Sequence, residues 1–423
     1  MLITRRNFLK ASLGTSTLLT FSTAVPGFLS RSALAASSRR NDRDSVLVVI
    51  QLSGGNDGLN TVVPYEDDVY HQSRPTLRLT AKQVHKLDAQ LGFHPDMQAF
   101  HRLYQEGHLS IVQGVGYPNS NRNHDGAMLN WHTARPAENF NKTGWIGRAI
   151  DQAYDSGEAD APGIFAGHIR APFSLQTEKA IVPSIQPTGQ GLASSGSESA
   201  GGDRFREYLT QPAQLGLAGV SNPLLDYVRH TTAAAWSGAR RIETVARSNS
   251  SAGTGAYPQF RLAQTLRTIA QLIRADVGIR IYFAELGGGG IGGFDNHAGQ
   301  ALNHGALLRE LSDSVAAFVT DLRQQNLLDR VLVMTFSEFG RTLSENGRRG
   351  TGHGAAAPMF LAGGRLKGGL VGVHPSLSDL EGDAPKHHTD FRRVYATALD
   401  RWLGFDSQAV LGGKFEPLDV LKS

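Results

Sequence analysis

Four polar clusters along the chain carry residue types that could bind metal ions or activate a nucleophile. They span residues 54–61, 119–125, 293–297 and 337–341, the last followed closely by 352–354. The candidate metal ligands in them are Asp57, Asp295, His297, Glu338 and His353. Carboxylates and imidazoles are the ligands that divalent ions such as Zn²⁺ and Mn²⁺ take in proteins. We predict one or two divalent ions, of Zn, Mn, Mg or Ca, which could polarise a phosphoryl or sulfuryl oxygen and activate a nucleophile.

Other residues of the same clusters could act on a substrate. Arg122 and Arg341 suit an anionic group, because a guanidinium fork matches its oxygens. His124 could help to orient that group, and Ser120 offers a hydroxyl for attack. Each cluster also has a structural interpretation. Residues 56–58 could form only a turn, His124 could be an ordinary surface or core histidine, and Arg341 could pair with a neighbouring acid.

Continuous apolar runs stand before these clusters and must position them. Residues 45–52, 109–115, 277–286 and 331–336 are typical of strands buried on both faces, as in parallel sheets covered by helices. Residues 260–274 and 304–322 repeat apolar residues at helical spacing. His304 lies on the apolar face of the second helix, so a core or helix-start role competes with metal ligation. Alternating strands and helices predict an α/β fold, in which functional groups collect at the carboxyl ends of strands.

The middle of the chain has a different composition. Residues 186–202 and 248–255 are rich in Ser, Gly and Ala, which predicts surface loops around an insertion or cap at about 186–256. Gly287, Gly289 and Gly292 match the spacing G-x-G-x-x-G. A dinucleotide site needs a helix to start at that turn, whereas the following residues continue as a loop. We therefore predict no nucleotide binding there.

The amino terminus resembles a twin-arginine export signal. Arg5-Arg6 is followed by Phe8-Leu9-Lys10, a broken apolar run over 13–29 and the small-x-small segment Ala33-Leu34-Ala35. An ordinary secretory leader or a cytosolic helix is the alternative. We predict a signal peptide over 1–35 and a mature domain over 36–423. The twin-arginine translocase would deliver this domain to the periplasm or the exterior, without a stable membrane anchor.

Composition excludes several classes of function. The 42 Lys and Arg exceed the 38 Asp and Glu by four, and residues 1–35 contain four basic residues and no acidic one. The predicted mature domain is therefore neutral overall, which argues against nucleic-acid binding. The chain has no Cys, so disulfides and thiolate chemistry are excluded.

Several ordered motifs together carry a family resemblance. They are residues 54–61 (GGNDGLNT), 294–297 (FDNH), 335–341 (TFSEFGR), 350–354 (GTGHG) and 390–397 (DFRRVYAT), with Trp402-Leu403-Gly404 beyond. This set resembles the bacterial family called domain of unknown function 1501, over essentially the whole mature chain. The resemblance implies the alkaline phosphatase/sulfatase-like fold, a central mixed, largely parallel sheet with helices on both faces and metals at its strand ends.

The resemblance also implies roles for individual residues. Asp57 stands where that superfamily has a metal-binding Asp after the first strand, and His353 matches its final His. Asp295 with His297 resembles its later Asp-His motif. Its Asp-His-Gly motif is replaced by 338–340, where Glu338 keeps a carboxylate but a Phe removes the imidazole.

Two departures from the family pattern bear on the mechanism. Asn123 precedes His124 where family members often have Ser, and Gly352 stands where many have Asp. Asn cannot form a covalent intermediate, so attack by metal-activated water is predicted, with Ser120 as a substitute. We predict an exported metal-dependent hydrolase of small phosphate or sulfate esters. The alternative is a non-catalytic periplasmic ligand- or metal-binding or assembly protein.

Overall fold

A computed structural model provides the structure of the chain. It describes residues 45–136, 138, 141–155, 163–167, 171–180, 182, 184–188, 191–193, 256–276, 278–287 and 293–422. The predicted signal peptide lies outside these residues, as does most of the predicted insertion. No helix in the described ranges combines the length and the apolarity that a bilayer span requires.

The strands of the described residues form one ten-stranded sheet and three small sheets. Their bounds are β1 Val46–Leu52, β2 Val62–Val63, β3 His85–Lys86, β4 Gly92–Phe93, β5 Leu109–Gly116, β6 Gly163–Ala166, β7 Ser184–Thr188, β8 Gly191–Ala193, β9 Ile281–Leu286, β10 Val331–Phe336, β11 Arg341–Glu345, β12 Thr351–His353, β13 Ala357–Gly363, β14 Gly369–Val371, β15 Leu380–Glu381, β16 Ala384–Pro385 and β17 Thr389–Asp390. The four apolar runs identified in the sequence correspond to β1, β5, β9 and β10.

The large sheet is mixed and largely parallel, which confirms the predicted fold class. Its order is β14-β5-β13-β10-β1-β9-β6-β7-β8, with β17 also paired to β5. Only β13 and β8 run antiparallel to their neighbours among these strands. All residues of β1 are buried, and it lies between β10 and β9, where Ile50 is level with Thr335 and Ala284. A strand in this position must be apolar on both faces, as the sequence indicated.

Helices cover both faces of this sheet. Their bounds are α1 Asp68–Ser73, α2 Gln98–Gln105, α3 His124–Thr133, α4 Trp145–Asp155, α5 Arg261–Arg274, α6 Gln300–Gln324, α7 Phe391–Ala396 and α8 Ser407–Leu411. Val48 and Ile50 pack in one apolar core with side chains of α2, α5 and α6. Leu47 and Val49 pack in the other with side chains of α3, α4 and α7. This alternation follows from the two-residue repeat of a strand.

One part of the predicted insertion differs from the expectation. Residues 186–193 were expected to be a surface loop, but β7 and β8 form an antiparallel pair at the end of the large sheet. Ladder hydrogen bonds join backbone groups, so a segment rich in small residues can still extend a sheet edge. Residues 194–255 lie outside the described part of the chain.

Two buried histidines belong to the core. His304 is 1% exposed and its Nε2 lies 3.0 Å from Asn56 Oδ1. Of the roles that the sequence left open, core, helix start or metal ligand, these contacts favour the core role. His132 is also buried, with Nε2 2.8 Å from Gln51 Oε1. Burial lowers the pKa of each imidazole to about 3. Both rings are therefore neutral in the folded protein at neutral pH.

Acid should destabilise the fold partly through His132. Its unfolded pKa is about 6.5, so below that pH the unfolded chain binds a proton that the folded chain excludes. We expect this residue to remove about 1.4 kcal/mol of unfolding free energy for each pH unit between about 6 and 4. His132→Gln, which keeps an N–H donor for Gln51, should flatten that slope in urea denaturation measured across the range. The difference between the two proteins at pH 7.5 separates the packing effect from the proton linkage. Equal slopes would contradict the assignment.

Candidate metal centre

The loops that follow β1, β9 and β10 meet at one edge of the sheet, because these parallel neighbours end there together. Phe294 N–H donates to Ser53 O at 2.9 Å, and Ser337 Oγ donates to Leu52 O at 2.7 Å. Gly54 has φ of +116°, and a Cβ on it would lie 2.6 Å from Phe294 N. Glycine is therefore required at this position. Its N–H donates to Glu338 Oε1 at 2.8 Å, which joins three of the predicted clusters.

Three imidazoles surround one carboxylate oxygen at this edge. Asp295 Oδ1 lies 2.9 Å from His297 Nε2, 3.2 Å from His353 Nε2 and 3.4 Å from His124 Nε2. His297 Nε2 and His353 Nε2 are 3.0 Å apart. Ligand atoms around a tetrahedral Zn²⁺ with bonds of 2.0–2.1 Å are about 3.3 Å apart. The spacing of these side-chain atoms therefore fits a divalent ion.

Hydrogen bonds turn the free nitrogens of two rings toward Asp295. His353 Nδ1 lies 2.7 Å from the backbone oxygen of Arg122, and His124 Nδ1 lies 3.0 Å from Glu338 Oε1. The backbone oxygen and the ionised carboxylate oxygen can only accept hydrogen bonds. We therefore assign the proton of each ring to Nδ1. Nε2 of each ring then carries a lone pair. Such outer contacts orient histidine ligands in metal sites.

Charges around Asp295 and His297 favour the ligand state of these two residues. Burial opposes ionisation of Asp295, but the hydrogen bond and the charge of Arg341 lower its pKa overall. Burial lowers the pKa of His297, and the charge of Arg341 lowers it further. The charge of Asp295 raises it, but the pKa is lowered overall. The hydrogen bond that His124 donates to Glu338 raises the pKa of His124. At neutral pH the centre thus offers an anionic carboxylate beside a neutral His297.

Phe339 forms an apolar floor beneath the centre. It is 1% exposed, and its ring centroid lies 4.5 Å from that of His353 and 5.0 Å from that of His124. A Cβ on Gly55 would lie 2.2 Å from the Phe339 ring, so the floor packs directly on the glycine loop after β1. The Phe that replaces an expected imidazole therefore supports the two ligand rings.

The structure brings together most of the predicted metal ligands. Asp295, His297 and His353 lie in the cluster, and Glu338 contacts it through His124. Of the described residues, His124, Asp295 and His353 form a group of ligand atoms that all lie within 4.8 Å of one another. His124 was predicted to act on the substrate, but its Nε2 has the position of a metal ligand.

Asp57 lies apart from this cluster. Its Oδ2 accepts from Arg74 Nη1 at 2.6 Å, and its Oδ1 accepts from Arg74 Nη2 at 3.0 Å. Gln300 Nε2 also donates to Oδ2. The charge and hydrogen bonds of Arg74 lower the pKa of this carboxyl despite its complete burial. The structure thus gives Asp57 a buried ion pair where the sequence predicted a metal ligand.

The two arginines predicted to bind an anionic group are placed differently. The Arg341 side chain is fully buried, and it donates to Asp295, Gly55 O and Phe294 O. Its guanidinium fork therefore has no free face for a substrate. Arg122 Nη2 donates to Glu381 O at 2.9 Å and lies 3.6 Å from the Glu381 carboxylate. Its part in the centre is its backbone oxygen.

The two possible positions for a nucleophile have other surroundings. Ser120 Oγ is buried without a hydrogen-bond partner in the described ranges, so no base activates it there. Asn123 is the N-cap of α3, with Oδ1 3.1 Å from Asp125 N and 3.4 Å from Gly126 N. Asn is a preferred residue for this role. Its presence is explained by the cap that sets His124 at the start of the helix.

Sequence reasoning missed Arg74 and Gln300. Arg74 follows a short helix outside every polar cluster, and a lone arginine usually lies at the surface. Gln300 begins α6, where the apolar repeat had been recognised only from 304 onward. No local pattern distinguishes either residue, because both find their partners through the tertiary fold.

Comparison with known families gives a match that covers most of the chain. The model described as "Protein of unknown function (DUF1501)" matches residues 44–416. No curated protein matches the sequence.

Several solved structures are similar to the chain at low identity. A protein in the alkaline phosphatase superfamily from Vibrio parahaemolyticus has 10% identity over 97% of this chain and 78% of its own, with a TM-score of 0.39. PsFucS1 sulfatase from Pseudoalteromonas sp. has 11% identity over 94% of this chain and 74% of its own, with a TM-score of 0.38. The C-terminal periplasmic domain of EcEptC from Escherichia coli, solved in complex with Zn, has 10% identity over 75% of this chain and 73% of its own, with a TM-score of 0.38. These likenesses concern the fold and carry no information about activity.

Proposed function

The chain belongs to the DUF1501 family of proteins of unknown function, and from this membership and the ligand cluster we propose an exported, metal-dependent hydrolase of phosphate or sulfate esters. The convergence of His124, Asp295 and His353 on one point carries the proposal. Hydrogen bonds to their outer partners orient them, an arrangement typical of functional metal sites.

Each residue of the centre has a defined part in this proposal. His124, Asp295 and His353 would hold a divalent ion, and His297, which lies beside them, would not be a ligand in the hydrolase. An ion in such a set supplies Lewis acidity toward an ester oxygen and toward water. Arg341 keeps Asp295 anionic, and Glu338 holds the proton of His124 on Nδ1.

Water is the nucleophile that this arrangement favours. Ser120 has no basic partner in the described residues, and Asn123 is engaged in capping α3. His124, Asp295 and His297 keep 37%, 42% and 38% of their side chains exposed, so their side of the cluster is open to solvent. A small anionic ester would reach the centre from there.

Export by the twin-arginine translocase belongs to the same proposal. The paired arginines Arg5-Arg6 and the segment 33–35 support it. This pathway would deliver the domain to the periplasm or the exterior. A protein that stays in the cytoplasm when Arg5 and Arg6 are both replaced by Lys, and leaves it otherwise, would support this route.

One observation favours a second candidate function, a non-catalytic metal-binding protein. His297 Nε2 lies within 3.0 Å of both Asp295 Oδ1 and His353 Nε2, so it could supply a fourth protein ligand. Four protein ligands close a tetrahedral site, and closed sites are usually structural. The same residues would then stabilise the domain without turnover.

Metal analysis combined with an ester panel separates the two candidates. Protein purified from the periplasm is expected to contain metal and to hydrolyse at least one of an aryl phosphate, a phosphodiester and an aryl sulfate. A structural site predicts bound metal without turnover, and a lower melting temperature for His297→Ala. Absence of both metal and turnover, after incubation with Zn²⁺, Mn²⁺, Mg²⁺ and Ca²⁺, would contradict both candidates.

Glu338→Gln should weaken metal binding without disrupting the fold. The amide can still accept from Gly54 N–H, but it loses the charge that holds the proton on His124 Nδ1. Outer-shell changes of this kind typically cost about 10–100-fold in metal affinity. Competition with a chromophoric chelator measures the change. Glu106→Gln, which removes an exposed carboxylate paired with Arg323, is the matched control. Equal metal affinities for the wild type, Glu338→Gln and Glu106→Gln would show that Glu338 does not support the ligand His124.

A further inference from the structure

We infer that the centre holds a single ion, because the Arg74 guanidinium takes the place of a second cation beside Asp57. This inference rests on the proposed metal centre. Asp57 follows the central strand β1 three residues after Gly54, whose N–H bonds to Glu338. A carboxylate in this position was the first candidate ligand in the sequence. Its hydrogen bonds decide what it binds.

The Asp57 carboxylate has its ligand positions filled. Arg74 binds both oxygens in a bidentate pair, and Gln300 adds a third donor on Oδ2. The side chains of Asp57 and Arg74 are 2% and 0% exposed. A divalent ion at this carboxylate would displace a buried guanidinium or lie beside it, and like charges repel strongly where water is excluded.

Among the described residues, the surroundings of Asp57 supply no second ligand set. His304, an imidazole whose charge influences Asp57, has its Nε2 3.0 Å from Asn56 Oδ1, an oxygen that only accepts. That nitrogen therefore carries a proton. Asn60 Oδ1 accepts from Arg74 Nη1 at 2.6 Å. In the described chain, the group able to hold an ion is the one at His124, Asp295 and His353.

Arg74 is also fixed by the hairpin that carries two residues of the centre. Its Nε donates to Leu343 O and its Nη2 to Thr342 O, both at 2.8 Å, on β11. Gln300 Oε1 accepts from Thr351 Oγ1 at 2.7 Å on β12. These strands carry Arg341 and His353. Arg74 therefore cannot leave Asp57 without releasing the hairpin that positions the metal ligands.

Zn²⁺ stoichiometry tests the inference directly. Apo protein is reconstituted with excess Zn²⁺, desalted, and measured by native mass spectrometry and elemental analysis. One ion per chain is expected for the wild type and for Asp57→Asn, with the same affinity by chelator competition. Asp295→Asn should bind none. If Asp57→Asn does not fold, Asp295→Asn carries the test, because an ion held at Asp57 would remain bound in that variant.

The outcomes separate this inference from the proposed function. Two ions in the wild type, or loss of the ion in Asp57→Asn while the fold persists, would overturn the single-ion inference and leave the metal centre intact. A wild-type chain that binds no ion overturns the proposed metal centre and this inference with it.

Discussion

Asp295→Asn is expected to abolish metal binding and any metal-dependent turnover. Asp295 Oδ1 lies within 3.4 Å of ring nitrogens from three histidines, so it is the common member of the ligand set. An amide lacks the negative charge that offsets a divalent cation. Loss of an outer carboxylate costs about 10–100-fold in affinity, and loss of this central ligand should exceed that range. Chelator competition and turnover of the best ester substrate measure the effect.

The variant should nevertheless remain folded. Arg341 would keep its bonds to Gly55 O and Phe294 O, and the new amide oxygen can still accept from it. Asp419→Asn removes an exposed carboxylate paired with Lys367 and controls for the change in charge. Apo proteins with similar melting temperatures would show that the effect is local. Full metal affinity in Asp295→Asn would exclude this residue as a ligand.

The fold was largely predictable because its central strands are buried on both faces. Residues 331–336 form β10 with the predicted bounds, and 45–52 contain β1. Each strand must be apolar throughout, so its composition alone distinguishes it. The antiparallel β13 could not be oriented this way, because pairing direction depends on connections between strands. The edge pair β7 and β8 was missed because its residues are small and its pairing is a backbone property.

The cluster of candidate ligands was predictable where motif and position agreed. Asp295, His297 and His353 come from loops and a hairpin that the fold brings to one edge, and their residue types match metal ligation. Glu338 was recognised by type, but only geometry shows that it contacts His124 rather than the point where the ligands converge. The residue type alone does not show whether a carboxylate contacts an ion or an imidazole.

Asp57 shows most clearly what sequence alone cannot decide. Its position after β1 and its turn-forming neighbours are compatible with a ligand. Its actual partner, Arg74, lies 17 residues away with no periodic relation to it. A buried arginine leaves no local signature, since its burial depends on contacts with Asp57 and with β11.

Arg74→Met is expected to produce the largest loss of stability of any single substitution considered. It leaves the Asp57 carboxylate buried without its counter-charge and removes the donors to Thr342 O and Leu343 O. Removing one member of a buried ion pair costs about 3–5 kcal/mol. Urea denaturation of the apo protein at pH 7 measures the change. A loss below about 1 kcal/mol, the value of an exposed pair, would contradict the structure of this network.

The double variant Arg74→Met with Asp57→Asn separates charge from packing. With both charges gone, it should be more stable than Arg74→Met alone, because no ionised group remains buried without a partner. The pH dependence has a definite sign. In the wild type Arg74 lowers the pKa of Asp57, so the pair stabilises the fold above about pH 4 and less as acid protonates the folded carboxyl. Without Arg74, burial raises that pKa, and the folded state binds the proton more tightly than the unfolded chain. The deficit of Arg74→Met relative to the double variant should therefore shrink between pH 7 and pH 5, and a deficit that grows with acid would show that Asp57 had found another cation.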